Sequence, residues 1–116
     1  MDSSFRDFVL DQLGKLGGMA GAVCRPMFGG YGIYAGDAFF AIIFRGRFYF
    51  RTDESSRPAY VNQNMKPFRP RAGVALRAYY EVPADVLEDA DQLVEWARVA
   101  IACVPPARRG SRRSRE

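Results

Sequence analysis

Gly30-Tyr31-Gly32-Ile33-Tyr34-Ala35 has the G-x-G-x-x-A spacing that can cradle a pyrophosphate on backbone N–H groups between a strand and a helix. Here the flanking residues carry the pattern along a strand into a hairpin, so it brings no nucleotide chemistry. The glycines from Gly14 to Gly18 lack the spacing and the Lys-Ser/Thr ending of a phosphate-binding loop. The chain has no histidine, which removes the usual general base, the usual triad member and the commonest metal ligand together. Cys24 and Cys103 are too far apart for a C-x-x-C redox or zinc motif, and their apolar neighbours point to packing. Glu88, Asp89, Asp91 and Glu95 could attract a divalent cation, but carboxylates at a helix start are accounted for by the positive end of the helix dipole. No catalytic residue, metal or cofactor is expected, and the chain reads as a non-enzyme.

Three stretches could instead bind a partner. The first is the corner Arg25, Met27, Phe28, Gly29, Gly30 and Tyr31. Its glycines and aromatics suit a hairpin that fills a core, or a corner that presents aromatic anchors to another protein. The second is Lys66-Pro67-Phe68-Arg69-Pro70-Arg71. Lys66, Phe68 and Arg69 on an exposed edge would suit an acidic protein or a nucleic-acid backbone, while prolines and charges also protect a sheet edge from pairing. The third is the tail, with Arg108, Arg109, Arg112, Arg113 and Arg115. Five arginines on a tether can neutralise phosphates without reading sequence, or serve only solubility.

These stretches hang on a readable order of elements. Phe5, Phe8, Val9, Leu13 and Leu16 share one helical face, and Ser4 with Asp7 resembles a capping box. Gly14, Gly17, Gly18 and Gly21 end that helix. The period then changes to two, giving strands over 22–28, 31–35, 39–44 and 47–52. Gly29-Gly30, Gly36-Asp37 and Arg45-Gly46 are the turns between them. Phe39 to Phe44 is apolar on both faces and belongs in the middle of the sheet with helices over one side. Phe48 and Phe50 face one way, and Arg47, Tyr49 and Arg51 the other.

Asp53 can cap a short helix reaching about Gln63, with Asn64 as a left-handed stop. Residues 66–71 form an edge strand or loop. Residues 74–82 form another strand, with Leu76, Ala78, Tyr80 and Val82 on one face. Asp89 and Gln92 make a capping box for the last helix, whose stripe is Leu93, Val94, Ala97, Ala100, Ile101 and Val104, extended backward by Val86, Leu87 and Ala90. Pro105-Pro106 ends it. The fold class is therefore α+β, an antiparallel sheet (a four-stranded meander plus one or two further strands) with helices packed on one face, in the order α-β-β-β-β-α-β-β-α. Residues 1–106 form one domain, and 107–116 are too charged and too poor in apolar groups to fold.

A hydrophobic content of 48% is enough for one core in 116 residues. No apolar run reaches the ~18 residues that cross a bilayer, and Asp2, Asp7 and Asp11 replace any basic leader, so a cytoplasmic location without membrane contact is expected. The net charge of +4 lies wholly in the tail, leaving 12 basic and 12 acidic groups balanced over residues 1–106. Within that body, 25–77 is basic and 81–98 acidic. Such halves attract one another within a fold or between subunits, and a homodimer is among the assemblies this allows.

Arg25 to Tyr34, Phe48-Tyr49-Phe50-Arg51-Thr52-Asp53, Met65-Lys66-Pro67-Phe68 and Tyr79-Tyr80-Glu81-Val82-Pro83, in that order, resemble the N-terminal domain of the TfoX/Sxy family of bacterial competence regulators. The likeness covers roughly residues 5–104. It implies the same two-layer α+β arrangement and a coactivator-like role, in which such proteins help a transcription regulator of the cyclic-AMP receptor type switch on competence genes. Two-domain members carry a C-terminal domain beyond this one, whereas only 105–116 follow the last helix here. A stand-alone relative with another protein partner is therefore an equal expectation. The alternative from a different class is a nonspecific nucleic-acid binder working through the basic 25–77 region and the tail. A third is a small-molecule or peptide binder with a groove between sheet and helices.

Overall fold

A computed structural model describes residues 3–14, 22–27, 29–71 and 74–104. Its order is α1 (Ser3–Gly14), β1 (Val23–Met27), β2 (Gly30–Ala35), β3 (Ala38–Phe44), β4 (Arg47–Arg51), α2 (Arg57–Val61), β5 (Pro67–Arg71), β6 (Val74–Glu81), α3 (Ala84–Leu87) and α4 (Ala90–Ala102). The six strands form one antiparallel sheet in the order β1-β2-β3-β4-β6-β5. The expected α+β class and element order both hold, with the one-turn α3 standing just before the last helix. No helix among the described residues is long and apolar enough to cross a membrane.

The central position of β3 follows from its composition. Phe40, Ala41 and Ile43 enter the main core under α1 and α4, while Ile42 and Phe44 are equally buried on the opposite face. The alternation is not regular, however. Ile33 pairs with Ala41 but Tyr34 pairs with Phe39, so Phe40 is one residue too many for β2. This bulge turns two consecutive residues, Phe40 and Ala41, towards the helices and moves Phe39 to the far face. On β4 the expected division holds: Phe48 and Phe50 lie in the main core and Tyr49 on the far face.

The turns are set by residues that tolerate positive φ. Arg45 (φ 52°) and Gly46 (φ 76°) make the two-residue connection of β3 and β4, and Gly36 (φ 60°) opens that of β2 and β3. Between β1 and β2 the expected Gly29-Gly30 turn is shifted by one residue. Gly29 has φ 78°, but Gly30 already pairs with Met27 as the first residue of β2. Gly30 is needed for a different reason, because a Cβ there would lie 2.2 Å from the Ile43 carbonyl oxygen.

Other local signals fare unevenly. Asp89 caps α4, accepting from the Gln92 N–H at 3.2 Å, while the Gln92 side chain donates back to it at 3.1 Å. At the start of the first helix Ser4 does not take the place of the cap expected with Asp7. Ser4 already lies inside α1, and the short Asp7 side chain instead accepts from Arg6 Nε and NH2, both at 3.1 Å. Phe8, expected in the buried stripe, is 41% exposed, and the polar Gln12 takes a buried place by donating to the Leu87 carbonyl at 2.8 Å. Asp53 folds the entry to α2, accepting from the N–H groups of Ser55 and Ser56 and the Ser55 hydroxyl. That helix stops at Val61, short of the expected Gln63, and Asn64 is left-handed at φ 63°.

On β6, Tyr80 packs with the main core but Ala78 packs on the far face beside Tyr79, against the expectation of one shared face. The strand lies between two partners there, and Tyr80 is paired with both Phe50 and Pro67. Tyr79 to Glu81 pair with β4, and the pairing with β5 shifts register between Pro67 and Phe68. The expectations for Leu16, Gly17, Gly18, Gly21, Pro105-Pro106 and the arginine tail fall outside the described residues, as does that for the Leu76 side chain.

Two predictions follow from the backbone. Gly30→Ala should cost about 2–3 kcal/mol, since the atom it meets belongs to the central strand and cannot step aside; urea unfolding measures this. The donors around Asp53, the Ser55 hydroxyl first, hold its carboxyl down to about 2. Its contribution to stability is thus full above the ordinary aspartate range and lost as pH falls from about 4 through about 2. Asp53→Asn should lower Tm at neutral pH and flatten the acid limb of the Tm–pH curve.

Candidate protein-interaction site

The residues singled out from the sequence separate once placed in the fold. At the β1–β2 corner, Arg25 is exposed and its guanidinium carbon lies 5.4 Å from the centre of the Tyr34 ring. Tyr31 is half-buried against the main core with Arg6 over its ring at 5.2 Å. Gly30 is buried and Gly29 is exposed. The Met27 side chain and Phe28 lie outside the described residues. At the second stretch, Lys66 and Arg69 are exposed but Phe68 is wholly buried. Phe68 meets Phe44 and Tyr49 edge-on, with ring centres 5.3 and 4.9 Å away, so it is no exposed anchor. Packing against these rings outweighs its charged sequence neighbours. Arg108, Arg109, Arg112, Arg113 and Arg115 are outside the described residues.

Both outer strands carry proline: Pro26 on β1, and Pro67 and Pro70 on β5. A proline has no N–H to offer a further strand, so neither edge favours sheet extension by a partner or a second copy. A partner is better accommodated on a side-chain surface.

Such a surface occurs between α2 and α4. Ser55, Ser56, Ala59, Tyr60, Trp96 and Val99 line a largely apolar cleft of about 230 Å³. Trp96 meets Tyr60 edge-on with ring centres 4.9 Å apart. Val99 is 46% exposed, and Val61 on the outer side of α2 is 52% exposed. Sequence reasoning missed this cleft, although a signal existed: Trp96 and Val99 stand three apart on α4, with Val99 off the stripe that faces the core and Trp96 at its border. Their complement on α2, Tyr60, is brought in only by the fold.

Nothing reactive lies in the cleft. Burial pushes up the pKa of the Tyr60 hydroxyl and of both thiols, Cys24 and Cys103, which are half-buried. Cys103 Sγ lies 3.5 Å from Ser56 Oγ, and burial outweighs that bond. Among the described residues no three His, Cys, Asp or Glu side chains gather as metal ligands would. Of the acidic run at α4, Asp89 caps the helix and Glu95 pairs with Arg98 at 3.8 Å.

The two roles possible for the second stretch are separable by stability. Phe68→Ala should lose about 3–5 kcal/mol, whereas Lys66→Ala and Arg69→Ala should stay within about 0.5 kcal/mol of the parent in denaturant unfolding.

No curated protein matches the chain. Residues 11–104, most of its length, match the model of the TfoX N-terminal domain. The G-x-G-x-x-A run lies wholly on β2, within that match, and serves strand pairing. The family is regulatory rather than enzymatic and competence-related. With its antiparallel sheet, its helices on one face and the family match across both, this chain belongs to the TfoX N-terminal domain family.

Proposed function

We propose that the chain is a regulatory protein-interaction domain that acts as a coactivator, engaging a transcription regulator of the cyclic-AMP receptor type through the cleft between α2 and α4. The observation carrying this reading is the cleft itself: Tyr60 and Trp96 form its aromatic floor and Val99 stands exposed at its margin. Large aromatic side chains with apolar neighbours and few charges are what hot spots in protein interfaces use. Glu54, Arg57, Glu95 and Arg98 lie near in sequence and supply a mixed-charge rim on which steering can act.

The exposed parts of the stretches chosen from sequence, Arg25, Gly29, Lys66 and Arg69, lie on other elements and supply the competing location. Exposed Arg25, Arg45 and Arg47 beside the β1–β2 and β3–β4 turns would serve a nucleic-acid backbone instead. Binding of the purified full chain to a purified receptor-type regulator discriminates these. Val99→Asp should weaken binding by at least about tenfold, roughly 1.4 kcal/mol, with an unchanged Tm. Arg25→Glu and Lys66→Glu should leave it within about twofold. Loss on Arg25→Glu but not Val99→Asp moves the partner to the corner. Duplex DNA binding that falls steeply with salt, without regulator binding, replaces the reading by the nucleic-acid one.

A further inference from the structure

On the sheet face away from the helices, aromatic rings and arginines alternate. Arg25 lies over Tyr34, Tyr34 stacks on Phe39 with centres 5.1 Å apart and planes 23° apart, and Phe39 meets Tyr79 at 5.3 Å. The guanidinium carbon of Arg51 lies 5.6 Å from the centre of the Tyr79 ring, directly opposite it across β4 and β6. The Tyr79 hydroxyl donates to the Phe39 carbonyl at 3.1 Å and fixes that end of the chain of rings.

Beside these rings is a recess of about 210 Å³ lined by Tyr34, Asp37, Phe39, Arg51, Tyr79 and Val104. The bulge at Phe40 makes it, because regular alternation would have put Phe39 on the helix side. Arg51 is half-buried and in none of the three ion pairs among the described residues. Its Nε is shut off from solvent and has no hydrogen-bond partner. A buried guanidinium N–H without an acceptor is costly, and the Arg51 side chain, which lines the recess, has no carboxylate partner among the described residues. Asp37, on the exposed turn between β2 and β3, lines the same recess and is likewise in none of those ion pairs. The recess therefore offers one cation and one carboxylate, not paired with each other, against an aromatic wall.

We infer that this recess binds a small zwitterion of the α-amino-acid class with a planar side chain. Its carboxylate meets the Arg51 guanidinium, its ammonium meets Asp37, and its side chain lies against Tyr34 and Phe39. A simple anion would meet repulsion from Asp37, and a simple cation would meet it from Arg51. The volume is below the roughly 300–1,000 Å³ typical of sites for drug-sized ligands, which confines the occupant to a molecule of amino-acid size. This site is separate from the α2–α4 cleft and stands or falls independently of it.

The test is calorimetric titration of the full chain with L-phenylalanine, phenylacetate and phenethylamine. Saturable binding of L-phenylalanine with a Kd of roughly 1 mM or tighter is expected, with each singly charged analogue at least about tenfold weaker. Arg51→Gln and Asp37→Asn should each weaken L-phenylalanine by about tenfold or more. Asp37→Asn changes only an exposed turn residue, so it keeps the test valid if Arg51→Gln unfolds the chain. Absence of saturable binding by L-phenylalanine overturns the inference. So does binding unchanged in Asp37→Asn, or phenylacetate binding as tightly as the amino acid.

Discussion

The structure depends on burying a central strand that is apolar on both faces. β3 cannot lie at a sheet edge or on a half-solvated sheet, because Phe40 and Ile43 need cover on one side while Ile42 and Phe44 need it on the other. Among the described residues, helices α1 and α4 cover the first side and none covers the second. The second is closed by the sheet's own rim, with Phe68 from β5 and Tyr79 from β6 joining Phe44 and Tyr49 in a small aromatic core. The insertion of β6 beside β4, ahead of β5 in the sheet order, serves this closure.

That arrangement decides where partners can be met. The far face spends much of its aromatic surface on itself, and both outer strands bear proline, so backbone-mediated pairing is disfavoured at either edge. On the helix side the five-residue α2 is too short to cover α4 and leaves Val99 exposed and Trp96 half-buried. Such a surface suits a regulatory family, since protein recognition draws on a desolvated aromatic patch.

Charge plays a secondary part. The Arg47–Glu81 contact at 3.0 Å joins β4 to β6 on an exposed surface, and pairs of that kind contribute modestly. Three other arginines lie over rings instead: Arg25 over Tyr34, Arg45 over Phe44 and Arg51 over Tyr79. Cation–π contact lets them cover apolar surface while they stay charged, so the basic middle of the chain acts partly as a lid for aromatic rings.

The amino-acid sequence by itself determined the α+β class, the order of elements, the Arg45-Gly46 and Gly36-Asp37 turns, the Asp89–Gln92 cap and the left-handed Asn64. Each of these depends on residues within a few positions of one another, where periodicity, φ tolerance and side-chain reach are already written. Only the tertiary structure decided that Phe68 is interior, that Gly30 serves a close approach, and that the bulge at Phe40 carries Phe39 across the sheet. It alone brought Tyr60 to Trp96, and Arg51 and Asp37 to one recess. Those outcomes join residues from separate strands and helices, and register and packing between distant segments leave no local mark in a single sequence.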